Sequence, residues 1–182
     1  MVSTQSIEVI KRNGRKKEVL DISKIHDMVE HACEDIKGVS SSQVEMNSGL
    51  QFYNNITTDE IQQIITKSAA DLISLDTPNY TYVAARLLLF SLRKNLFHKL
   101  WDHPHFYDQV KRLVDLKLYD SLIMKDYDRR DFDRMEYWLK HDRDYDFTYA
   151  GLRQVIDKYL VQDRSTGQIY ETPQFMYMMI AA

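Results

Sequence analysis

Residues Val9 to Ile25, VIKRNGRKKEVLDISKI, constrain the fold most tightly, because a short basic hairpin there runs straight into a helix. Asn13-Gly14 separates two short runs with apolar positions, and both residues tolerate the positive φ of a tight primed turn. The spacing predicts two paired strands, with Ile7, Val9 and Lys11 in the first and Glu18, Val19 and Leu20 in the return, before Asp21 offers a helix cap. Lys11, Arg12, Arg15, Lys16 and Lys17 bring positive charge to the hairpin. The first turn after Asp21 brings backbone N–H groups. Together these are the ingredients of a phosphate site. The same residues also suit a plain solvated turn, and local chemistry alone leaves both readings open.

Downstream of the hairpin the pattern is almost wholly helical. Ile22, Ile25, Val29, Ala32, Cys33 and Ile36 recur at three- and four-residue intervals, which predicts one buried face on a helix ending near Lys37-Gly38. Ser40–Ser42 opens a second helix, expected to run to about Tyr53. Thr57-Thr58-Asp59-Glu60 has the form of a capping box and opens a third, with Ile61, Ile64, Ile65, Ala69, Leu72 and Ile73 as its buried stripe. Asp76-Thr77-Pro78 ends that helix and opens a fourth. The run VAARLLLF there is apolar on nearly all sides, as suits a helix enclosed by a bundle, and Arg93 and Lys94 read as charge restored at its solvated end.

At Trp101-Asp102-His103-Pro104 a proline and clustered aromatics mark a boundary. The expected domains are 1–99 and 100–182. Phe106, Val110, Leu113, Val114 and Leu118 predict another amphipathic helix. In the charge-rich stretch Lys125 to Asp146, Asp126, Asp128, Asp131 and His141 are metal-ligand types, but the interleaved arginines suit helix-face ion pairs better. Tyr149 to Leu160 reads as a helix, Asp163 to Gly167 as a turn between two short extended pieces, and Pro173 as the start of a last helix. That helix stays apolar to Ala182, so the chain is expected to be a piece of a longer or split protein.

Composition excludes several functions. With 182 residues, 44% hydrophobic, the chain can bury one good core or two small ones. A net charge of -3 and a pI near 6.1 argue against a dedicated nucleic-acid or membrane-surface protein. No long apolar run suggests a leader or a span. Cys33 is the one cysteine, which leaves no internal disulfide and fits a reducing cytoplasm. It reads as a core residue. His26 and His31 lack a ligand-spaced third partner, so a metal site is not expected there.

The spacing KR-N-G, E-V-L-D and S-K-I resembles the opening of the ATP-cone, the regulatory nucleotide-binding domain of ribonucleotide reductases and of their transcriptional repressor. The likeness continues through ITTDEIQQIITKSAADLIS (Ile56–Ser74) and YTYVAARLLLFSLRK (Tyr80–Lys94). It then runs past the cone through His141–Ala182, as the large subunit of a class I aerobic ribonucleoside-diphosphate reductase does and a repressor does not. The resemblance implies a mainly α fold, with a β-hairpin on a four-helix cone followed by the first helices of the reductase's helical domain.

By this resemblance Lys11 and Arg12 meet phosphates, while Glu18, Val19, Leu20, Asp21, Ile22, Ser23 and Lys24 wrap the nucleotide. Ile25 and Ile61 neighbour the base, and Thr58, Phe90 and Lys94 close the site. The effector implied is ATP or dATP, with Mg²⁺. The implied partners are the rest of the large subunit, the radical-generating small subunit and further copies in a homo-oligomer, in the cytoplasm. The catalytic barrel and its radical and redox cysteines are not among these residues, so the chain alone is expected to be inactive. Gln62 and Ser91 stand where well-known bacterial large subunits carry histidines, which is expected to weaken inhibition by dATP. Two alternatives come from other classes. A DNA-binding repressor's zinc ribbon needs four cysteines against one here. A stand-alone nucleotide sensor or helical protein-interaction module fits the hairpin without the reductase.

Overall fold

The computed structural model describes residues 7–11, 16–49 and 51–182. They divide into two compact units, one comprising the described residues up to Ser91 with Phe147–Ala150, the other Leu92–Asp146 with Gly151–Ala182.

In the first unit β1 (Glu8–Ile10) runs antiparallel to β2 (Lys17–Val19) with Val9 opposite Glu18. The Lys11 N–H donates to the Lys16 carbonyl at 2.9 Å where the hairpin closes. The expected Asn13-Gly14 turn and Arg12 lie outside the described residues. A third strand, β3 (Ile56–Thr57), pairs parallel with the other edge of β1, giving the order β2-β1-β3. Only the hairpin had been expected, because two residues carry no periodicity for a strand to be read from.

Helix α1 (Ile22–Cys33) buries Ile25, Met28, Val29 and Ala32. It stops before the expected Lys37-Gly38. Asp35 takes a φ of 60°, and the Arg86 guanidinium donates to the Glu34 carbonyl at 2.6 Å and to the Ala32 carbonyl at 3.4 Å. Carbonyls that a helix end leaves unpaired are thus covered by a side chain from another helix. Ile36 falls beyond the helix, and Ile22, expected on the buried face, is 68% exposed in the first turn. Cys33 is half-buried rather than core, and burial pushes its thiol up to about 11, away from reactivity.

Helix α2 (Ser41–Gly49) is shorter than expected, with Val44 its buried apolar side chain. Helix α3 (Thr58–Asp71) carries the expected capping box. The Glu60 N–H donates to Thr57 Oγ1 at 3.1 Å, and the Thr57 N–H to Glu60 Oε2 at 2.8 Å. Its buried face is more polar than expected. Gln62, Thr66 and Ser68 are inside while Ile73, past the helix end, is exposed. Helix α4 (Tyr80–Phe97) starts two residues after Pro78, which sits in the preceding turn. Val83, Ala84, Leu87, Leu89 and Phe90 are fully buried, as the run VAARLLLF predicts.

The second unit contains the end of α4, α5 (Phe106–Asp115), α6 (Ile123–Asp126), α7 (Arg129–Trp138), a 3-10 helix (His141–Asp146), most of α8 (Tyr149–Lys158), the two-residue hairpin strands β4 (Gln162–Asp163) and β5 (Gln168–Ile169), and α9 (Pro173–Ala181). Its core is Phe106, Val110, Phe132, Leu139 and Phe175, with the Phe106 and Phe175 rings stacked at 5.9 Å. Each such burial stabilises by about 1.5–3 kcal/mol, well above the 0–1 kcal/mol of the exposed ion pairs on α7. Asp128 caps α7 and Arg129 pairs with Asp133 at 3.3 Å, so the charge-rich stretch is helix cap and helix face. Among the described residues no cluster suits a metal ion and no helix is long and apolar enough to cross a membrane. Arg93, expected at a solvated helix end, is instead 1% exposed, and its guanidinium lies 3.7 Å from Asp144.

Candidate functional site

The register of the sheet brings the candidate residues into order. Ile10 stands opposite Thr57, so the next residue of each strand, Lys11 and Thr58, leaves the same end of the sheet. Thr58 is the first residue of α3, whose N-terminus carries partial positive charge. Its hydroxyl is shut from solvent and has no hydrogen-bond partner among the described residues. A buried unpaired hydroxyl costs about 1–3 kcal/mol, which an arriving acceptor removes.

The hairpin lysines are held by carboxylates. Glu18 takes Lys11 and Lys16 at 2.8 Å each, and hydrogen bonds from Lys11 and then Lys16 hold its carboxyl down to about 2. Lys17 donates to Asn55 Oδ1 at 2.7 Å, and Lys24 lies 3.2 Å from Asp21. Asp21 caps α1 by accepting from the Ser23 N–H at 3.1 Å and from its hydroxyl, which lowers its own pKa. The first N–H groups of α1, expected to be open to phosphate, are therefore partly engaged. A triphosphate arriving here exchanges exposed lysine–carboxylate pairs, each worth little, for charge-assisted phosphate contacts worth more.

Val19 and Ile22 are 63% and 68% exposed, while Ile25 and Ile61 are buried. Val19 and Ile22 thus expose apolar side chains on either side of the Asp21 cap in the sequence. Leu20 donates its N–H to the Ile7 carbonyl at 2.8 Å. Phe90 is fully buried with its ring 5.8 Å from that of His31, and Lys94 follows it by one turn on α4. Gln62 does not face outward: it is 4% exposed and donates to the Leu87 carbonyl at 3.0 Å, so it ties α3 to α4. A groove of about 620 Å³ is lined by Asp27, Glu30 and Glu34 with His31 and Cys33, and its three carboxylates disfavour a triphosphate there. The sequence reading missed Arg86 as the group that ends α1. An arginine inside an otherwise apolar run was its one signal.

The ATP cone domain model matches residues 7–95, which contain every one of these candidates. Residues 7–95 are an ATP-cone. Behind the cone, residues 145–182 match the ribonucleotide reductase all-alpha domain. The chain is 47% identical to the ribonucleoside-diphosphate reductase subunit alpha of Buchnera aphidicola from Acyrthosiphon pisum and 44% identical to subunit alpha of reductase 1 from Escherichia coli K12, in each case over 98% of this chain. It is 40% identical to the subunit alpha of enterobacteria phage T4, over 97%. The chain spans 23% of the length of each of these relatives. Among the cone's described residues the carboxylates nearest the lysines are already engaged, so a Mg²⁺ accompanying a nucleotide would be held by phosphate oxygens and water.

Thr58→Val tests whether the unpaired hydroxyl serves a ligand. Without nucleotide the melting temperature is expected to stay level or rise, because an unsatisfied buried group is removed. Affinity for ATP is expected to fall about 2- to 10-fold, the worth of one neutral hydrogen bond. Unchanged affinity by calorimetry would show that the hydroxyl does not meet the nucleotide.

Proposed function

We propose that this chain is the allosteric region of an aerobic class I ribonucleoside-diphosphate reductase large subunit, and that its cone, residues 1–99, binds ATP or dATP as effector, with Mg²⁺ on the phosphates. Residues 100–182 begin the helical domain beside the catalytic barrel. The effector contacts are those of Lys11, Arg12, Glu18–Ile25, Thr58, Ile61, Phe90 and Lys94. The partners are the remainder of the large subunit, the radical-generating small subunit and further copies of the large subunit, in the cytoplasm. Nucleotide occupancy acts by favouring one assembly over another, which requires different contacts in the two states.

The observation that carries this reading is the placement of Lys11 beside the N-terminus of α3, where Thr58 holds a buried hydroxyl without a partner among the described residues. Cation, helix N-terminus and open donor are what a phosphate chain requires. The three motif stretches in order along the cone add to it. Calorimetric titration of the chain with ATP and with dATP tests the reading. Saturable binding of both is the result expected. No saturable heat with either sinks it and favours the protein-interaction module.

A further inference from the structure

His103 and His141 lie in the second unit and are not among the nucleotide candidates. Their rings are stacked face to face, with centroids 3.9 Å apart and planes 1° from parallel. Phe175 of α9 meets the His141 ring edge-on at 5.0 Å, and Phe97 meets His103 at 5.8 Å. Both nitrogens of His141 and Nε2 of His103 are shut from solvent without a hydrogen-bond partner among the described residues, while His103 bonds to the Trp101 backbone.

The charges that act on the two rings come from α4, from the segment after it and from the 3-10 helix. From α4 comes Arg93, whose guanidinium donates to the His141 carbonyl at 2.7 Å. From the segment after α4 comes Asp102, engaged by Lys99. The 3-10 helix contributes Asp142 and Asp144, and Asp144 is held by Arg93 and by Gln174 at 3.2 Å. Residues Pro173–Ala181 of α9 contain no acid or base other than Tyr177. A proton arriving on His141 thus finds no acceptor among the described residues and faces a buried cation.

The geometry points to an acid-sensitive latch: the His103–His141 stack holds the 3-10 helix His141–Asp146 against α9 while both rings are neutral, and protonation releases it. Burial first, then Arg93, holds His103 down to about 4; burial, then His103 and Arg93, holds His141 down to about 3. A released histidine titrates near 6.5, so the open state binds more protons and gains as pH falls below that value. Between pH 7 and pH 5 each ring then favours opening by about 20-fold. Asp144 works the other way. Burial pushes its carboxyl up to about 6, so the closed state takes up its proton and gains about tenfold over the same range. Two histidines outweigh one aspartate by about fortyfold, and water reaching the half-buried rings reduces this to about tenfold or more.

Amide hydrogen exchange of residues 141–146 in the 182-residue chain, corrected for intrinsic rates, tests the latch. Protection in the wild type is expected to fall about tenfold or more from pH 7 to pH 5. In His141→Phe, which keeps a ring and removes the proton sites, it is expected to change by less than about threefold. Unchanged protection in the wild type, or an equal loss in the variant, overturns the proposal. Should the variant not fold, NMR titration of the two imidazoles in the wild type decides: both below pH 5 supports the latch, and either at its ordinary value near 6.5 overturns it.

Discussion

Replacing Arg93 by methionine is expected to lower the unfolding free energy at pH 7.5 by about 3–5 kcal/mol, the usual cost of leaving a buried charge without its partner. The arginine is fully buried beside Asp144, and its two terminal nitrogens donate to the Tyr145 hydroxyl at 3.0 Å and the His141 carbonyl at 2.7 Å. Methionine fills the same channel with an unbranched apolar chain, so the loss reports the charge and its hydrogen bonds more than a cavity. Asp144 then sits buried without a cation, and its carboxyl rises further than the value near 6 it already has.

The sign of the pH dependence follows from that rise. A carboxyl raised in the folded state destabilises as pH climbs from its unfolded value, near 3.9, through its folded one, and costs nothing once both states hold the proton. The deficit of Arg93→Met against the wild type is therefore expected to be clearly larger at pH 7.5 than at pH 5. Adding Asp144→Asn is expected to recover at least half of the loss at pH 7.5, since a neutral pair is far cheaper to bury. Urea denaturation of the four chains measures this cycle. A loss below about 1 kcal/mol for the single variant would show that the pair contributes no more than a surface ion pair.

What could be read from the sequence, and what could not, follows from how far apart the deciding residues lie. The hairpin, the capping box at Thr57 and Glu60, and the enclosed run of α4 are local patterns, and each appears where its spacing puts it. The end of α1 is not local. It is set by Arg86 on α4 reaching the carbonyls of Ala32 and Glu34, and no pattern near Cys33 announces it. Arg93 was misread for the same reason, because its partner Asp144 sits in a stretch whose alternating charges looked solvated. The nucleotide candidates were legible through their motif, yet their state was not. That Glu18 takes both Lys11 and Lys16 depends on the register of the two strands, which fixes side-chain pairs only once the turn is made.

The second large effect is on nucleotide binding. Lys11 follows β1 and Lys94 lies on α4, and both are among the effector contacts proposed above. A charge-assisted phosphate contact is worth about 1.5–3 kcal/mol, and the Lys11–Glu18 pair given up in exchange is exposed and returns at most about 1 kcal/mol. Each contact therefore remains favourable after exchange. Their joint loss in the double variant Lys11→Ala, Lys94→Ala is expected to weaken ATP binding about a hundredfold or more, while the chain stays folded without nucleotide because both side chains are half-buried rather than core. Calorimetric titration of ATP into the wild type and the double variant is the measurement on which the account turns. A saturable isotherm that collapses in a folded double variant is the result it predicts, and an equal dissociation constant in the two chains would contradict it.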